Sequence, residues 1–134
     1  MKIIHYTLFL VFWGLCIGTK ISYAQEDTFR QIETAIQNAD ANTIAQMIKG
    51  TADITIGEEE GTYTNTQAAF ILKSFFEKNP PKAARLIHRG TSNNMIYAIG
   101  NYTTTNNLTM RLYILLKQDS GKYYIQELRL ENNS

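Results

Sequence analysis

The 134-residue chain has one cysteine, one tryptophan, two prolines and two histidines, and its 13 basic and 12 acidic residues leave a net charge of +1. Each shortage excludes something. A lone cysteine, Cys16, cannot build a disulfide framework. A near-neutral chain gives no electrostatic reason to seek nucleic acid or an anionic membrane surface, so neither is expected as a partner. No cluster of His, Cys and carboxylates stands at ligand spacing, so neither a metal nor a cofactor is expected. The two prolines are adjacent, Pro80-Pro81, which leaves the rest of the chain free to form uninterrupted elements. Against these absences stand a hydrophobic fraction of 44% and a charged fraction of 19%. That balance argues against disorder, and the length suits one domain.

Residues 1–24 read as an export signal. Lys2 supplies the positive start, an apolar run extends from Leu8 to Ile17, and Ser22-Tyr23-Ala24 places small residues where a signal peptidase reads, with cleavage before Gln25. The run is shorter than the roughly 20 residues a membrane span needs, so a cleaved signal outweighs an uncleaved anchor. Leu15 before Cys16 argues against lipidation, because a small residue belongs there. Cleavage removes Lys2, Lys20 and Cys16 and leaves a net charge of −1, no thiol and no stable membrane anchor. The expected location is periplasmic or secreted, with residues 25–134 as a single domain.

Gln25 to Asn38 has helical spacing, with Phe29, Ile32, Ala35, Ile36 and Ala39 on one stripe. Asp40 caps a second short helix carrying Ile44, Met47 and Ile48, ended by Gly50. Ala52 to Ile56 alternates as a strand, and Gly57-Glu58-Glu59-Glu60-Gly61 reads as a solvated acidic turn, lacking the alternating oxygen ligands of a calcium loop. Thr64 and Gln67 fit a capping box for a helix whose stripe is Ala68, Ile71, Leu72, Phe75 and Phe76. Asn79-Pro80-Pro81 stops it.

After Pro81 the turn signals Ser92-Asn93-Asn94, Asn106-Asn107 and Asp119-Ser120-Gly121 divide the chain into four strands: Ala83–Arg89, Met95–Thr104, Leu108–Gln118 and Lys122–Glu131. In the third, Leu108, Met110, Leu112, Ile114 and Leu116 face the helices, while Arg111, Tyr113, Leu115 and Lys117 share the outer face, a mixture that suits a homodimer contact. In the fourth, Tyr123 and Ile125 differ in parity from Leu128 and Leu130, so a bulge near Gln126-Glu127 is predicted. The fold class is α+β: a curved antiparallel sheet wrapped over N-terminal helices as a cone.

Five stretches carry a resemblance: Gly61-Thr62-Tyr63-Thr64, Phe75 to Pro81 (FFEKNPP), Ile87-His88-Arg89-Gly90, Tyr97-Ala98-Ile99-Gly100 and Gln126 to Glu131 (QELRLE). With the element order, they resemble the nuclear transport factor 2-like (cystatin-like) superfamily, and within it a family of small secreted bacterial proteins with a domain of unknown function. The resemblance implies the cone fold and an exported location. It carries no activity and no functional residues. Ala84 departs from the pattern, where a larger apolar residue is expected.

The expected pocket lies inside the cone beside Phe75 and Phe76, with Ala84 opening space and His88 and Tyr97 adjoining it. Parity with Leu86 and Ala84 turns His88 inward. A histidine with no legible carboxylate or nucleophile partner is more often structural than catalytic, so no catalytic residue is assigned and His88 stands only as a weak candidate. Asp53, Tyr63, Tyr97, Tyr102 and Glu127 could supply polar groups, although Asp53 has the parity of a solvent-facing residue. The favoured reading is a non-catalytic domain binding a small apolar or amphipathic ligand or a protein. The alternative is an isomerase- or lyase-like enzyme using the cone with His88 as acid/base.

Overall fold

A computed structural model describes residues 23–133. The segment read as an export signal lies outside the described residues, except for Tyr23 and Ala24. The described chain runs α1 (Tyr23–Gln37), α2 (Ala41–Gln46), β1 (Thr51–Ile56), β2 (Glu59–Thr64), α3 (Asn65–Lys78), β3 (Pro81–Ser92), β4 (Met95–Thr104), β5 (Thr109–Asp119) and β6 (Lys122–Asn132). No described helix is long and apolar enough to cross a membrane.

Helix α1 buries Phe29, Ile32, Ala35 and Ile36, one stripe at helical spacing. Ala39 is exposed rather than part of that stripe. It sits at φ +53 just past the helix, with its N–H on the Ile36 carbonyl and the Asp40 N–H on the Ala35 carbonyl. That is a Schellman stop, and it turns the chain directly into α2. Asp40 caps α2 by accepting from the Thr43 N–H at 3.1 Å and the Thr43 hydroxyl at 2.6 Å. These bonds hold the Asp40 carboxyl below the usual carboxylate range.

The six strands form one sheet in the order β2-β1-β6-β5-β4-β3. Neighbours are antiparallel except β1 and β6, which run parallel. The acidic stretch proves to be half turn and half strand. Gly57, at φ +62, takes the first central position of a two-residue hairpin, and β2 starts at Glu59.

Three register shifts interrupt the ladders, one of them between Pro81 and Ala83, and the other two decide which side chains face inward. Register shifts from Leu115↔Glu127 to Leu116↔Ile125, so Gln126 is the extra residue and Ile125, Leu128 and Leu130 are all buried, as the broken parity predicts. The second bulge lies in β3, where Leu86 pairs with Gly100 and His88 with Ile99, leaving Ile87 as the extra residue. It reverses the parity on which an inward His88 depends. His88 is exposed on the outer face.

The helices cover the inner face of the sheet. Leu72, Leu112, Ile114, Leu116 and Leu128 are among the side chains fully enclosed there. Phe75, Phe76 and Tyr102 form an aromatic cluster with ring centroids 5.3–6.3 Å apart. The Tyr102 hydroxyl donates to the Asn79 carbonyl, tying the end of α3 to β4. Helix α3 thus fills the cone. Ala84 is buried in this packed interior, its carbonyl accepting from Gln37 Nε2 at 2.8 Å.

Candidate functional site

Helix α3 presents two faces. Ala68, Leu72, Phe75 and Phe76 enter the core, while Phe70, Ile71, Ser74 and Lys78 fall along an adjacent stripe at i, i+1, i+4 and i+8. The helix is held at both ends. Thr64 and Gln67 form the complete capping box, and the Asn79 N–H bonds the Phe75 carbonyl at 2.8 Å before Pro80 ends the helix.

The second stripe faces the β1–β2 hairpin across a cleft of about 340 Å³. Ile54 and Ile56 form its floor, with Glu59 and Tyr63 from β2. Register places Ile54, Ile56, Glu59 and Gly61 on the same inner side of the hairpin. The Tyr63 ring folds over Gly61, where any Cβ would stand 2.5 Å from the Tyr63 hydroxyl, so glycine is needed for that ring position. Phe70, 75% exposed, stands at the rim. Helix α3 contributes Ser74 and Lys78, and its C-cap Asn79, as polar groups to a lining that, Glu59 apart, is aliphatic and aromatic. A volume in the low hundreds of Å³ with few polar groups suits a small ligand.

The outer face carries a second hollow, lined by Met95, Tyr97, Ile99, Tyr113 and Leu115 with Ser92 and Asn93 at one end. Tyr97 and Tyr113 stack at 6.2 Å and 26°. The Arg129 guanidinium lies 5.4 Å from the Tyr113 ring and is bonded to Glu127. Burial and the Glu127 charge raise the Tyr113 phenol above its ordinary range. Asp53 also faces outward, where it accepts from the Thr62 hydroxyl at 2.6 Å.

The sequence-predicted site residues are therefore not brought together. Phe75 reaches the α3 cleft, Phe76 and Ala84 lie in the packed core, and His88 and Tyr97 are on the opposite side of the sheet. Neither Ala84 nor His88 lines the cleft or the outer hollow. Sequence reasoning overlooked Phe70, Ile56 and Glu59. The available signal was Phe70, a large apolar residue exposed beside Ile71 on a helical stripe that continues with Ser74 and Lys78. Among the described residues no three His, Cys, Asp or Glu side chains converge to hold a metal.

Residues 29–131 match the family described as domain of unknown function DUF4783. The chain belongs to that family. DUF4783 proteins of known structure superpose well on this domain. One from Bacteroides ovatus is 19% identical with a TM-score of 0.71, covering 78% of this chain and 94% of its own. One from Bacteroides uniformis is 16% identical with a TM-score of 0.72, covering 78% and 96%. An NTF2-like protein of unknown function from Shewanella baltica is 12% identical with a TM-score of 0.63, covering 84% and 98%. Comparison with curated proteins gave no match. At these identities the likeness establishes the fold alone: this DUF4783 domain is an α+β, NTF2-like cone with an unclosed curved sheet.

Proposed function

We propose that this DUF4783 domain is an exported, non-catalytic binding domain that holds a small amphipathic ligand between α3 and the β1–β2 hairpin. The observation that carries the reading is the composition of the cleft. Ile54, Ile56, Ile71 and Phe75 offer an apolar bed, Tyr63 and Phe70 flank it, and Glu59 and Lys78 provide opposite charges in the same lining. An apolar body would settle on the aliphatic residues with its polar end toward those charges. The export signal of residues 1–24 places the domain outside the cytoplasm in this reading. His88 stands outside the cleft, so the enzyme alternative loses the acid/base it was built on.

Native mass spectrometry of protein purified from its own cell envelope tests the binding reading directly. A retained mass in the range of a small amphiphile is expected, and its loss in Ser74→Trp, which fills the cleft from an exposed helix position, would locate it. A fluorescent apolar probe such as anilinonaphthalene sulfonate should bind the wild type and bind Ser74→Trp and Phe70→Ser more weakly. Equal probe binding by all three proteins, with no retained mass, would remove the proposal.

A further inference from the structure

The sign of charge that the α3 cleft accepts follows from the groups around it. Three aromatic rings line the cleft, Tyr63 from β2 with Phe70 and Phe75 from α3, and Glu59 stands in the same lining. Register pairs Glu59 with Ile56 on the inner side of the hairpin, and Glu58 and Glu60 flank it in the chain. Among the described residues no base pairs with Glu59. The ion pairs lie elsewhere, at Lys49 with Asp119, Arg89 with Glu26, and Arg129 with Glu127 and Glu131.

The end of α3 adds to that negative charge. The Phe76 and Glu77 carbonyls would accept from the N–H groups of residues 80 and 81, and both of those are proline. Both carbonyls therefore lack their helical donors, and the helix terminus keeps its partial negative charge beside the cleft. Lys78 is exposed in this last turn. It offsets the helix end and forms no ion pair with Glu59, so the carboxylate stays available.

We infer that the cleft takes an organic cation, an alkyl- or arylammonium whose apolar body lies on Ile54, Ile56 and Ile71 and whose charge faces Glu59 among the rings. The inference rests on the cleft being the binding site proposed above, and it names the class of ligand. Aromatic rings present negative faces, so an ammonium gains from them as well as from the carboxylate. A carboxylate or sulfate head loses on both counts, and a neutral head keeps only the apolar contact. An anionic dye such as anilinonaphthalene sulfonate is then held by its rings against the local charge, and Glu59→Gln should tighten it.

Three probes that share one chain test the sign: n-octylammonium, n-octanol and n-octanoate, titrated into the protein while its backbone amide shifts are followed by NMR. Octylammonium is expected to bind about fivefold more tightly than octanol, with octanoate the weakest. The shifts should fall in the β1–β2 hairpin and the C-terminal half of α3. Glu59→Gln should bring octylammonium to within about twofold of octanol. Phe70→Leu, which keeps an apolar side chain but removes a ring, should cut the octylammonium advantage by about half. Lys78→Gln should raise that advantage. Glu59 and Phe70 are both exposed. The amide spectra identify a variant that fails to fold, and the other then carries the test. Equal binding of octylammonium and octanol by the wild type would overturn the cation and leave the cleft as an apolar site. Octanoate binding tightest, with its advantage lost in Lys78→Gln, would overturn the sign. Shifts from none of the three would overturn the cleft as a binding site, and this inference with it.

Discussion

The Glu33 carboxylate accepts the backbone N–H of Leu86 at 2.8 Å, taking the position a carbonyl of a seventh strand would occupy. One helical turn on, Gln37 donates to the Ala84 carbonyl at 2.8 Å. Because β3 is an edge of the sheet, these groups would otherwise offer a template for pairing with another chain. Arg89 closes the same edge further along, pairing with Glu26 at 3.0 Å and lying 5.5 Å from the Phe29 ring. Helix α1 is thus the cover of β3 as well as a core element.

Removing that cover should cost stability and solubility together. Glu33→Ala with Gln37→Ala is expected to lower unfolding free energy by about 2 kcal/mol, about 1 for each lost hydrogen bond. Light scattering on warming should rise as the edge opens. Glu33→Gln keeps an acceptor for Leu86 and should lose less than half as much as Glu33→Ala. Urea titration measures the first effect, and an unchanged midpoint in the double variant would show that the edge is covered some other way.

Much of this architecture was legible because its determinants are local. The Thr64–Gln67 capping box, the Pro80-Pro81 stop and the Gln126 bulge each follow from residues within a few positions of one another. The failures have a different cause. Strand β2 is a polar edge strand, so Glu59 and Glu60 carry no hydrophobic period and read as a continuation of the turn. His88 was placed by counting parity through β3, and one inserted residue, Ile87, inverts that count. The α3 cleft depends on how the β1–β2 hairpin stands off the helix, a tertiary relation with no signature in either segment alone.

Tyr102 should make stability fall at high pH. Its side chain is fully buried between Phe75 and Phe76, and burial raises its phenol above the ordinary value. The unfolded chain releases this proton near pH 10, whereas the folded chain keeps it. The contribution is therefore complete below about pH 10 and is lost progressively as pH climbs from there toward the raised folded value. Tyr102→Phe should be about 1 kcal/mol less stable at pH 7, having lost the bond to the Asn79 carbonyl. The gap between the two proteins should narrow above about pH 10. Urea denaturation at both pH values checks this, and a constant gap would contradict it.

Gly100 is required by the β3 bulge. A Cβ built there would lie 1.7 Å from the Arg85 carbonyl oxygen and 2.8 Å from the Leu86 Cα. Both are backbone atoms paired to β4, so neither can swing aside as a side chain would. Gly100→Ala must push β3 away from β4, and a cost of about 3 kcal/mol or more is expected. In a domain of this size that lowers Tm by more than about 10 °C. A calorimetric scan showing a near-wild-type Tm would mean that the bulge can relax.

Ala39 offers the opposite case, a position where the native residue is strained. It occupies φ +53 at the residue after the α1 C-cap, a left-handed conformation that costs an L-residue with a Cβ about 1 kcal/mol. Its side chain is exposed, so no packing is lost on removing the methyl group. Glycine relieves the strain but gives the unfolded chain more freedom, which offsets part of the gain. Ala39→Gly should therefore raise unfolding free energy by about 0.5 kcal/mol, with the denaturant slope unchanged because the same surface is exposed on unfolding. Asn at this position, which tolerates the left-handed region through its short polar side chain, should fall between the two. A loss of stability in the glycine variant would show that the unfolded-state cost exceeds the relief of strain at this turn.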